Sequence, residues 1–459
     1  MNKVTPISPA TDSANADDEG SNASSNILIR ALQEAPLVEQ RGRLVSVLGT
    51  SLRIKGVRAR IGDMCEIATA AGDRTISAEV VGFTDGCALL TPLGPVRGLA
   101  PDSEIILRSG QAKIPYGSHL MGRVYDAALQ PIDGLGPIRR QPTRDLRGAP
   151  PGPMEREPIT KIFETGVRAI DGLMTLGQGQ RIGIFAAAGS GKSTLLGMLA
   201  RHAQADAFVI ALIGERGREV REFVEDVLGE AGLAKSIVIA ATSDRPAMER
   251  VRAAEAATAV AEGLRDEGKH VVLMMDSITR FARAHREIGL AAGEPAVRRG
   301  FPPSIFAELP QLFERAGTAA TGAITAIYTV LLEDEDGDPI GEEVRSLLDG
   351  HIHLSRKLAT KGHYPAIDVL ASLSRLAGRL TEKNQEQAAR RMRSMLAMLD
   401  EIELLIQMGE YQPGQDPLAD SALAAREGMN AFLQQQMDEK SGLPESKALL
   451  RSLAESANV

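Results

Sequence analysis

The 459-residue sequence contains no tryptophan and only two cysteines, and aromatic residues make up 3% of it. Cys65 and Cys87 are too few for a disulfide framework or a multi-cysteine zinc site, so we expect both to be reduced thiols. So few aromatic side chains leave little material for platforms that stack nucleic-acid bases. Together with the net charge of −8, this predicts a protein that does not bind nucleic acid.

Long apolar runs are missing as well. No run approaches the ~18 residues that a membrane-spanning helix needs, and the N-terminal residues contain no apolar core of the kind found in secretory signals. We therefore expect the protein to work in the cytoplasm. Hydrophobic residues make up 43% and charged residues 24% of the chain, a balance that is ordinary for a globular protein with a large buried core.

Composition and patterning divide the chain into four segments. Residues 1–37 begin with a run rich in Ser, Asn and Asp and are predicted to form a disordered tail followed by a short amphipathic helix. Residues 38–108 contain short β-rich runs separated by Gly, Asp and Pro, which predict a small N-terminal β-barrel. Residues 109–380 alternate apolar strands with helices and predict an α/β domain whose parallel sheet is covered on both faces. Residues 381–459 are predicted to form a C-terminal helical domain.

The run FAAAGSGKST, residues 185–194, contains most of a phosphate-binding loop. It matches the pattern G-x-x-x-x-G-K-[ST] except that Ala186 takes the place of the first glycine, where a strand end supplies the negative φ that alanine needs. The run lies between the predicted strand RIGIFA and a predicted helix, which is the context that this loop requires. Glycines let backbone N–H groups surround the phosphates, and the helix N-terminus adds its positive dipole end. We therefore predict a RecA-like core whose nucleotide-binding residues include Ala188, Gly189, Ser190, Gly191, Lys192, Ser193 and Thr194.

Four side chains are candidates for the chemistry of an ATPase that uses Mg²⁺. Lys192 is expected to reach the β- and γ-phosphates of ATP, and the Ser193 hydroxyl to bind Mg²⁺. Asp276 ends the apolar run HVVLMMD and Glu215 follows the run AFVIALIG, so both lie where strands of a parallel sheet end and ligands gather. We expect Asp276 to hold the magnesium with its water shell and Glu215 to polarise the attacking water. The alternative for Asp276 is a cap on the helix that follows it.

The run PAIDVLASLS, residues 365–374, carries a family resemblance. It fits, at every fixed position, the signature P-[SAP]-[LIV]-[DNH]-x-x-x-S-x-S of the hexameric ATPases related to the catalytic head of rotary ATP synthases. GRVYDAALQPIDG, IGERGREVREF and DSITRFARAHREI are also similar to this family, so that the resemblance extends from about residue 41 to 440. Within the family, FAAAGSGKST with Ala186 resembles the protein-export branch, and there the injectisome ATPase of type III secretion systems.

The resemblance implies roles for further residues. Glu215 matches the catalytic carboxylate that positions the water, and Arg216 matches an arginine that braces the γ-phosphate region. Arg375, directly after the signature, matches the arginine finger that one subunit inserts into the site of its neighbour. Tyr364 matches an aromatic residue that packs on the adenine ring; the alternative is that it is simply a core residue.

The resemblance also implies an assembly. We expect a homohexamer at the cytoplasmic base of a type III export apparatus, peripherally associated with the inner membrane, which releases chaperones and unfolds and loads secreted substrates. The partners implied are a stator protein at the N-terminal region, a coiled-coil central stalk protein in the pore, secretion chaperone–effector complexes and the export gate at the inner membrane.

Three other functions remain open at this stage. The first is a flagellar export ATPase, which shares the mechanism and differs in the apparatus that it serves. The second is a subunit of a rotary ion-coupled ATPase, against which Ala186 argues because the catalytic chains of the synthase usually keep glycine there. The third is a ring-shaped RNA translocase, which the lack of aromatic residues disfavours.

Overall fold

The computed structural model describes residues 39–72, 74–108, 110, 112–138, 142–332, 337–414 and 416–456. The tail and amphipathic helix predicted for residues 1–37 lie outside these ranges. The described chain forms, in order, a β-barrel, a helix-covered sheet and a set of C-terminal helices. This architecture confirms the predicted fold class, an α/β RecA-like core with a barrel before it and helices after it.

The N-terminal barrel is built from six antiparallel strands within the described residues. They are β1 (Gln40–Leu48), β2 (Ser51–Lys55), β3 (Met64–Ala68), β4 (Thr75–Thr84), β5 (Cys87–Pro92) and β6 (Glu104–Arg108). They close in the order β1-β2-β5-β4-β3-β6. Alternate side chains point inward, as in β2, where Leu52 and Ile54 are fully buried and Arg53 between them is partly exposed. Aliphatic side chains therefore fill the interior of the barrel.

The segment after the barrel contributes short strands that join the two parts of the fold. β7 (Lys113–Pro115) pairs with β9 (Thr143–Asp145), and between them β8 (Arg123–Tyr125) extends the central sheet by pairing with residues 237–239. A second small pair, β10 (Ile162–Phe163) and β11 (Leu176–Gly177), precedes the phosphate loop. The central sheet therefore begins with a strand that lies well before the phosphate loop in sequence.

The central sheet contains nine strands in the part of the chain that the structure describes. Beside β8 they are β12 (Arg181–Ala186), β13 (Ala207–Ile213), β14 (Ser236–Ala241), β15 (His270–Asp276), β16 (Gly317–Thr318), β17 (Ala323–Leu331), β18 (Gly350–Leu354) and β19 (Ile367–Ser374). Their order is β19-β18-β12-β17-β15-β13-β14-β8, with β16 paired to β17. The predicted parallel arrangement holds from β18 to β8. The sheet is nevertheless mixed, because β19 and the short β16 are antiparallel to their neighbours.

Helices cover both faces of the sheet and form the C-terminal part. They are α1 (Arg168–Leu173), α2 (Lys192–His202), α3 (Gly217–Glu222), α4 (Gly229–Ala234), α5 (Ala247–Asp266), α6 (Ile278–Ala291), α7 (Pro303–Glu314), α8 (Pro339–Leu347), α9 (Arg356–Thr360), α10 (Ala377–Leu380), α11 (Lys383–Met408), α12 (Pro417–Leu433) and α13 (Leu443–Ser456). A π-helical turn, Phe223–Leu228, separates α3 from α4. Every residue of β13 and β14 is buried, as expected for strands covered on both sides.

The C-terminal helices pack on the face of the sheet that carries the phosphate-loop helix. Met392 of α11 and Phe432 of α12 share a hydrophobic core with Ile170 of α1 and Ile184 of β12.

No helix in the described ranges is long and apolar enough to cross a membrane.

Candidate nucleotide-binding and catalytic site

The phosphate loop leaves the sheet at the end of β12. Ala186 is fully buried and its carbonyl still accepts a hydrogen bond from the N–H of Leu332 at 3.0 Å, so alanine fits at this position as an ordinary strand residue. The glycines that follow turn the chain: Gly189 and Gly191 have φ of 78° and 86°, a left-handed region that glycine adopts without steric cost. Ser190 fixes the turn, because its hydroxyl donates to the carbonyl of Ala187 at 2.8 Å.

Helix α2 begins at Lys192, directly after this turn. The first N–H groups of a helix have no carbonyl one turn earlier to which they could donate, and the helix dipole adds positive potential at that end. The loop and the first turn of α2 therefore present a set of N–H donors suited to phosphate oxygens. The residues predicted from the sequence to bind the phosphates, Ala188 to Thr194, form this loop and turn.

Lys192 lies between two carboxylates at the carboxyl edge of the sheet. Its ammonium group donates to Asp276 Oδ1 and lies 3.4 Å from Glu215 Oε1. Both acids are buried, with 3% of Asp276 and 8% of Glu215 exposed. Asp276 is held in place by Thr329, whose hydroxyl donates to Oδ1 at 2.7 Å. The structure therefore brings together three residues that the sequence separates by up to 84 positions.

The cap of α6 decides between the two interpretations of Asp276. Ser277 is the residue whose side chain accepts a hydrogen bond from the N–H of Arg280 at the start of this helix. The carboxylate of Asp276 instead faces Lys192 and Thr329. Asp276 is therefore available to a ligand at the phosphate loop and does not serve as the cap.

Arg280 is a residue of this site that the sequence analysis missed. Its Nη2 lies 3.1 Å from Glu215 Oε2. The approach requires Gly214, because a Cβ at that position would lie 3.0 Å from Arg280 Cδ. One signal in the sequence could have found it: Arg280 follows Asp276 by four positions, which places it one helical turn beyond the edge of the sheet.

Burial and charge set the protonation of Glu215. Burial raises the pKa of Glu215 to about 7; Lys192 and Arg280 act to lower this pKa, whereas Asp276 and a hydrogen bond with Glu219 act to raise it. The backbone of Glu215 is fixed by a hydrogen bond from the N–H of Ser243 to its carbonyl at 3.0 Å. A carboxyl group with a pKa near neutrality can hold or accept a proton of a water molecule at working pH.

The residues around this cluster fit a magnesium–nucleotide complex. A cavity of about 140 Å³ is lined by Ser193, Glu215 and Asp276 on one side and by residues of α3 and the π-helical turn on the other. Among the described residues, no group of three or more His, Cys, Asp or Glu side chains is placed to hold a metal ion. Mg²⁺ needs no such cage, because it is commonly bound by one or two carboxylates together with substrate phosphates and waters. Ser193 and Asp276 would hold it here.

Tyr364 and Arg216 lie at different distances from this cluster. The Tyr364 ring packs on the phosphate loop, where a Cβ at Gly191 would lie 3.1 Å from Tyr364 Cε1, and 40% of the residue is exposed. The side chain of Arg216 is 77% exposed, and its Nη1 lies 3.4 Å from Glu219 Oε1. The structure therefore places Tyr364 beside the loop, whereas Arg216 extends from the protein surface.

Arg375 lies at the opposite edge of the sheet from the phosphate loop of its own chain. It directly follows β19, whose last residue, Ser374, pairs with Gly350 at the start of β18. The loop leaves β12 after Ala186, which pairs with Leu354 at the other end of β18. Gly350 and Leu354 are four residues apart, so these two ends of β18 are separated by about 13 Å along the strand. The exposed Arg375 side chain is thus separated from its own site by the length of the sheet.

Comparison with known proteins gives consistent matches along the chain. The sequence model of the ATP synthase alpha/beta family, nucleotide-binding domain, matches residues 166–374, and that of the T3SS EscN ATPase C-terminal domain matches residues 381–452. The chain is 52% identical over 431 residues to a type 3 secretion system ATPase of Xanthomonas euvesicatoria, which covers 94% of this chain and 98% of that protein. It is 44% identical over 428 residues to a flagellum-specific ATP synthase of Pseudomonas aeruginosa, with 92% and 94% covered.

Solved structures agree with these matches. The fold is similar to that of the assembled ATPase EscN from the type III secretion system of enteropathogenic E. coli, with a TM-score of 0.85, 45% identity and coverage of 90% of this chain and 100% of that chain. The same ATPase in complex with its central stalk EscO gives a TM-score of 0.83 at the same identity and coverage. The identity extends over nearly the whole length of this chain and of its relatives, and the chain therefore belongs to the family of type 3 secretion system ATPases.

Proposed function

We propose that the protein hydrolyses ATP with Mg²⁺ at the Lys192–Asp276–Glu215 cluster and uses the reaction to energise type III protein export. The observation that carries the first half of the proposal is the position of Lys192, at the end of a phosphate loop and between two buried carboxylates. This arrangement combines a grip for phosphates, a ligand for the magnesium and a group that can hold water.

Each residue of the site has its own role in the proposed reaction. The N–H groups of the loop and the Lys192 ammonium bind the β- and γ-phosphates, and they neutralise charge that develops on them. When bound, Mg²⁺ would be held by Ser193 and Asp276 and would supply further neutralisation of the phosphate charge. Glu215 holds the attacking water in line with the γ-phosphate and must be ionised to do so. Arg280 fixes the orientation of the Glu215 carboxylate through their contact at 3.1 Å.

A ring of identical subunits is the second element of the proposal. Arg375 is exposed and about 13 Å of strand away from the loop of its own chain, so that its guanidinium is available to the site of a neighbour. An arginine supplied across an interface stabilises the charge of the transition state and can raise the rate by ~10³–10⁵-fold. The assembled state of EscN, a relative at 45% identity, supports a homohexamer for this chain.

The partners and the location follow from the family. We infer that the ring binds a coiled-coil central stalk in its pore, as EscN binds EscO, and a stator protein near its N-terminal region. It would act in the cytoplasm at the base of the apparatus, peripherally at the inner membrane, where it receives secretion chaperone–effector complexes, releases the chaperone and delivers the unfolded substrate to the export gate. Arg216 is proposed to brace the γ-phosphate region once the ring has formed, and Tyr364 to pack on the adenine ring.

Complementation in the native host tests the export function. In a strain that lacks the gene, the wild-type chain and Ser346→Ala, which alters an exposed hydroxyl on α8, should restore secreted substrates in the medium. Lys192→Ala and Glu215→Gln should not restore them, although both proteins accumulate. Restoration of secretion by either variant would contradict the proposal.

The same strains separate the proposed function from flagellar export. Two type 3 secretion relatives, at 52% and 49%, exceed the flagellar ones at 44–46% and favour the injectisome, whereas three further type 3 secretion relatives, at 46–47%, overlap with the flagellar range. Loss of the gene should therefore abolish secretion of effectors and leave swimming motility intact. Loss of motility with normal effector secretion would assign the protein to the flagellar apparatus instead.

A further inference from the structure

A fully buried glutamine lies at the start of the strand that leads to the phosphate loop. Gln180 is 0% exposed, and its amide oxygen accepts a hydrogen bond from the N–H of Gly177 at 2.9 Å. Its Nε2 donates to the carbonyl of Asp349 at 3.2 Å and to the hydroxyl of Ser374 at 3.1 Å. A buried amide with both of its ends hydrogen-bonded fixes the position of its partners, because moving any of them leaves a buried polar group unpaired.

Ser374 is the last residue of the signature run and the residue immediately before Arg375. Its hydroxyl accepts from Gln180 and donates to the carbonyl of Thr175 at 3.0 Å. Only 8% of Ser374 is exposed. The contact between Gln180 and Ser374, which we call the Gln180–Ser374 bridge, thus ties the end of the edge strand to the interior of the domain.

The residue after the bridge is held through its own backbone. The N–H of Arg375 donates to the carbonyl of Asp349 at 3.0 Å, the same carbonyl that accepts from Gln180. The carboxylate of Asp349 accepts from the N–H and the Nε of Arg181 at 3.0 and 3.2 Å. The exposed side chain of Arg375 therefore projects from a backbone position that hydrogen bonds fix on both sides.

The other polar residues of the signature shape the same strand. The carboxylate of Asp368 accepts hydrogen bonds from the N–H groups of Leu370 and Ala371, each at 3.0 Å. The hydroxyl of Ser372 accepts from the N–H of His353 at 2.9 Å, where the pairing of β18 and β19 shifts its register. The fixed aspartate and serines of the signature therefore build a bent edge strand that ends at Arg375.

We propose that the Gln180–Ser374 bridge is a positioning device that aims Arg375 at the catalytic site of the neighbouring subunit. The inference rests on the proposed role of Arg375 in the neighbour's site. Gln180 and Ser374 are both buried, and Ser374 lies at the end of the sheet opposite the phosphate loop of its own chain. They act through the backbone of Arg375, where an error of about 1 Å in the placement of a reacting group can cost ~10²-fold in rate.

The first test compares three variants of the full-length assembled protein. Ser374→Ala removes the hydroxyl of the bridge, Ser374→Thr keeps it, and Ser346→Ala removes an exposed hydroxyl on α8 that bonds only within its own helix. Ser374→Ala should lower kcat by ~10–10²-fold and change the KM for ATP by less than about twofold, because the ground-state contacts of ATP are untouched. Ser374→Thr should recover most of kcat, and Ser346→Ala should match the wild type.

The second test determines whether Ser374→Ala impairs the catalytic site of its own subunit or that of the neighbouring subunit. Lys192→Ala subunits have no phosphate grip but keep an intact Arg375, so in mixed rings they present a correctly aimed arginine to an adjacent Ser374→Ala subunit. Mixing the two variants should raise the ATPase activity above the sum of the separate proteins. If Ser374 supported only the fold of its own subunit, the mixture would show no such gain.

The outcomes distinguish failure of the inference from failure of the proposed function. Arg375→Ala is carried through the same mixing experiment. If Arg375→Ala has normal activity, or is not rescued by Lys192→Ala subunits, the proposed role of Arg375 fails and the inference fails with it. If Arg375→Ala is impaired and rescued but Ser374→Ala has wild-type kcat, or is impaired without rescue, the positioning role alone is overturned. If Ser374→Ala does not assemble, Gln180→Met is used in its place. This variant has a side chain of similar length and lacks the amide that donates to Ser374 and Asp349. The same measurements of activity and rescue then test the positioning role.

Discussion

Arg280 Nη2 lies 3.1 Å from Glu215 Oε2, so that a fixed cation faces the carboxylate that would hold the attacking water. Burial raises the pKa of Glu215 to about 7, and Arg280 is one of the two cations that act to lower it. We therefore expect the pair to set the pH at which Glu215 ionises, in addition to orienting its carboxylate.

Replacement of Arg280 by Met should move the acid limb of the pH profile. Glu215 must be ionised, so kcat/KM of the wild type should fall as the pH drops through about 7. Without Arg280 the pKa of Glu215 rises further, and the limb should move to higher pH. The measurement is kcat/KM between pH 5.5 and 9, with Arg390→Met, an exposed arginine paired to Glu386 on α11, as the matched control. A limb that stays in place or moves to lower pH would show that Arg280 does not act on Glu215.

The Ser193 hydroxyl should determine how much magnesium the enzyme needs. Ser193 lines the same cavity as Asp276 and lies in the first turn of α2. Ser193→Ala should raise the Mg²⁺ concentration for half-maximal activity by roughly tenfold, about 1.4 kcal/mol, because one oxygen ligand is lost. Ser193→Thr keeps the hydroxyl and should remain close to the wild type. Equal magnesium requirements for Ala and Thr would exclude Ser193 as a ligand.

Tyr364 should contribute to ATP affinity through its ring. The ring packs against the phosphate loop and is partly exposed, and stacking of a base on an aromatic ring contributes ~1–3 kcal/mol. Tyr364→Ala should therefore raise the Kd for ATP by about tenfold or more, whereas Tyr364→Phe should not. Fluorescent-nucleotide titration measures both, and inorganic triphosphate competes equally with all three proteins if only base contacts are lost. An unchanged Kd for Tyr364→Ala would make the residue a packing residue.

Arg147 should hold the barrel on the central domain. Its guanidinium lies 2.7 Å from Glu79 of the barrel and 2.7 Å from Glu255 of α5, and both acids are almost fully buried. Arg147→Met removes the cation in contact with both carboxylates, leaves Arg252 as the remaining cation near them, and should lower the free energy of unfolding by about 2 kcal/mol.

The pH dependence of this loss identifies its cause. Burial raises the pKa of Glu79 and Arg147 acts to lower it, so without Arg147 the folded protein binds a proton more tightly and loses stability as the pH rises. Chemical unfolding should therefore show a greater loss at pH 8 than at pH 6, and Glu79→Gln should recover part of it in the double variant. Arg58→Met, on the exposed surface of the barrel, serves as the control. A loss that does not depend on pH would point to packing instead of charge.

The fold and the first members of the site could be predicted because the signals are local. The run of β13 is apolar throughout and that of β14 is apolar after Ser236, which is typical of strands covered on both faces. Asp276 ends β15, Glu215 lies two residues beyond β13, and Lys192 begins the helix after the loop that leaves β12. The carboxyl ends of parallel strands meet at one edge. Once the strands are predicted, the position in the fold of a motif at a strand end is therefore predicted as well.

The remaining contacts could not be predicted because they join distant parts of the chain. Gln180 and Ser374 are 194 residues apart, and although Ser374 is the last fixed residue of the signature, nothing in that run indicates Gln180 as its partner. The antiparallel course of β19 likewise depends on pairing with β18 alone, which no periodicity in the run reveals. That course decides which edge of the sheet Arg375 reaches.

The measurement that tests the central claim most directly is ATP hydrolysis and ATP binding by Glu215→Gln in parallel. Gln keeps the size of the side chain and removes the charge that holds the water, so kcat should fall by ~10²–10⁴-fold while the Kd for ATP remains close to that of the wild type. Glu401→Gln, an exposed residue of α11, should change neither. Turnover by Glu215→Gln near the wild-type rate, with ATP bound normally, would contradict the assignment of the catalytic site.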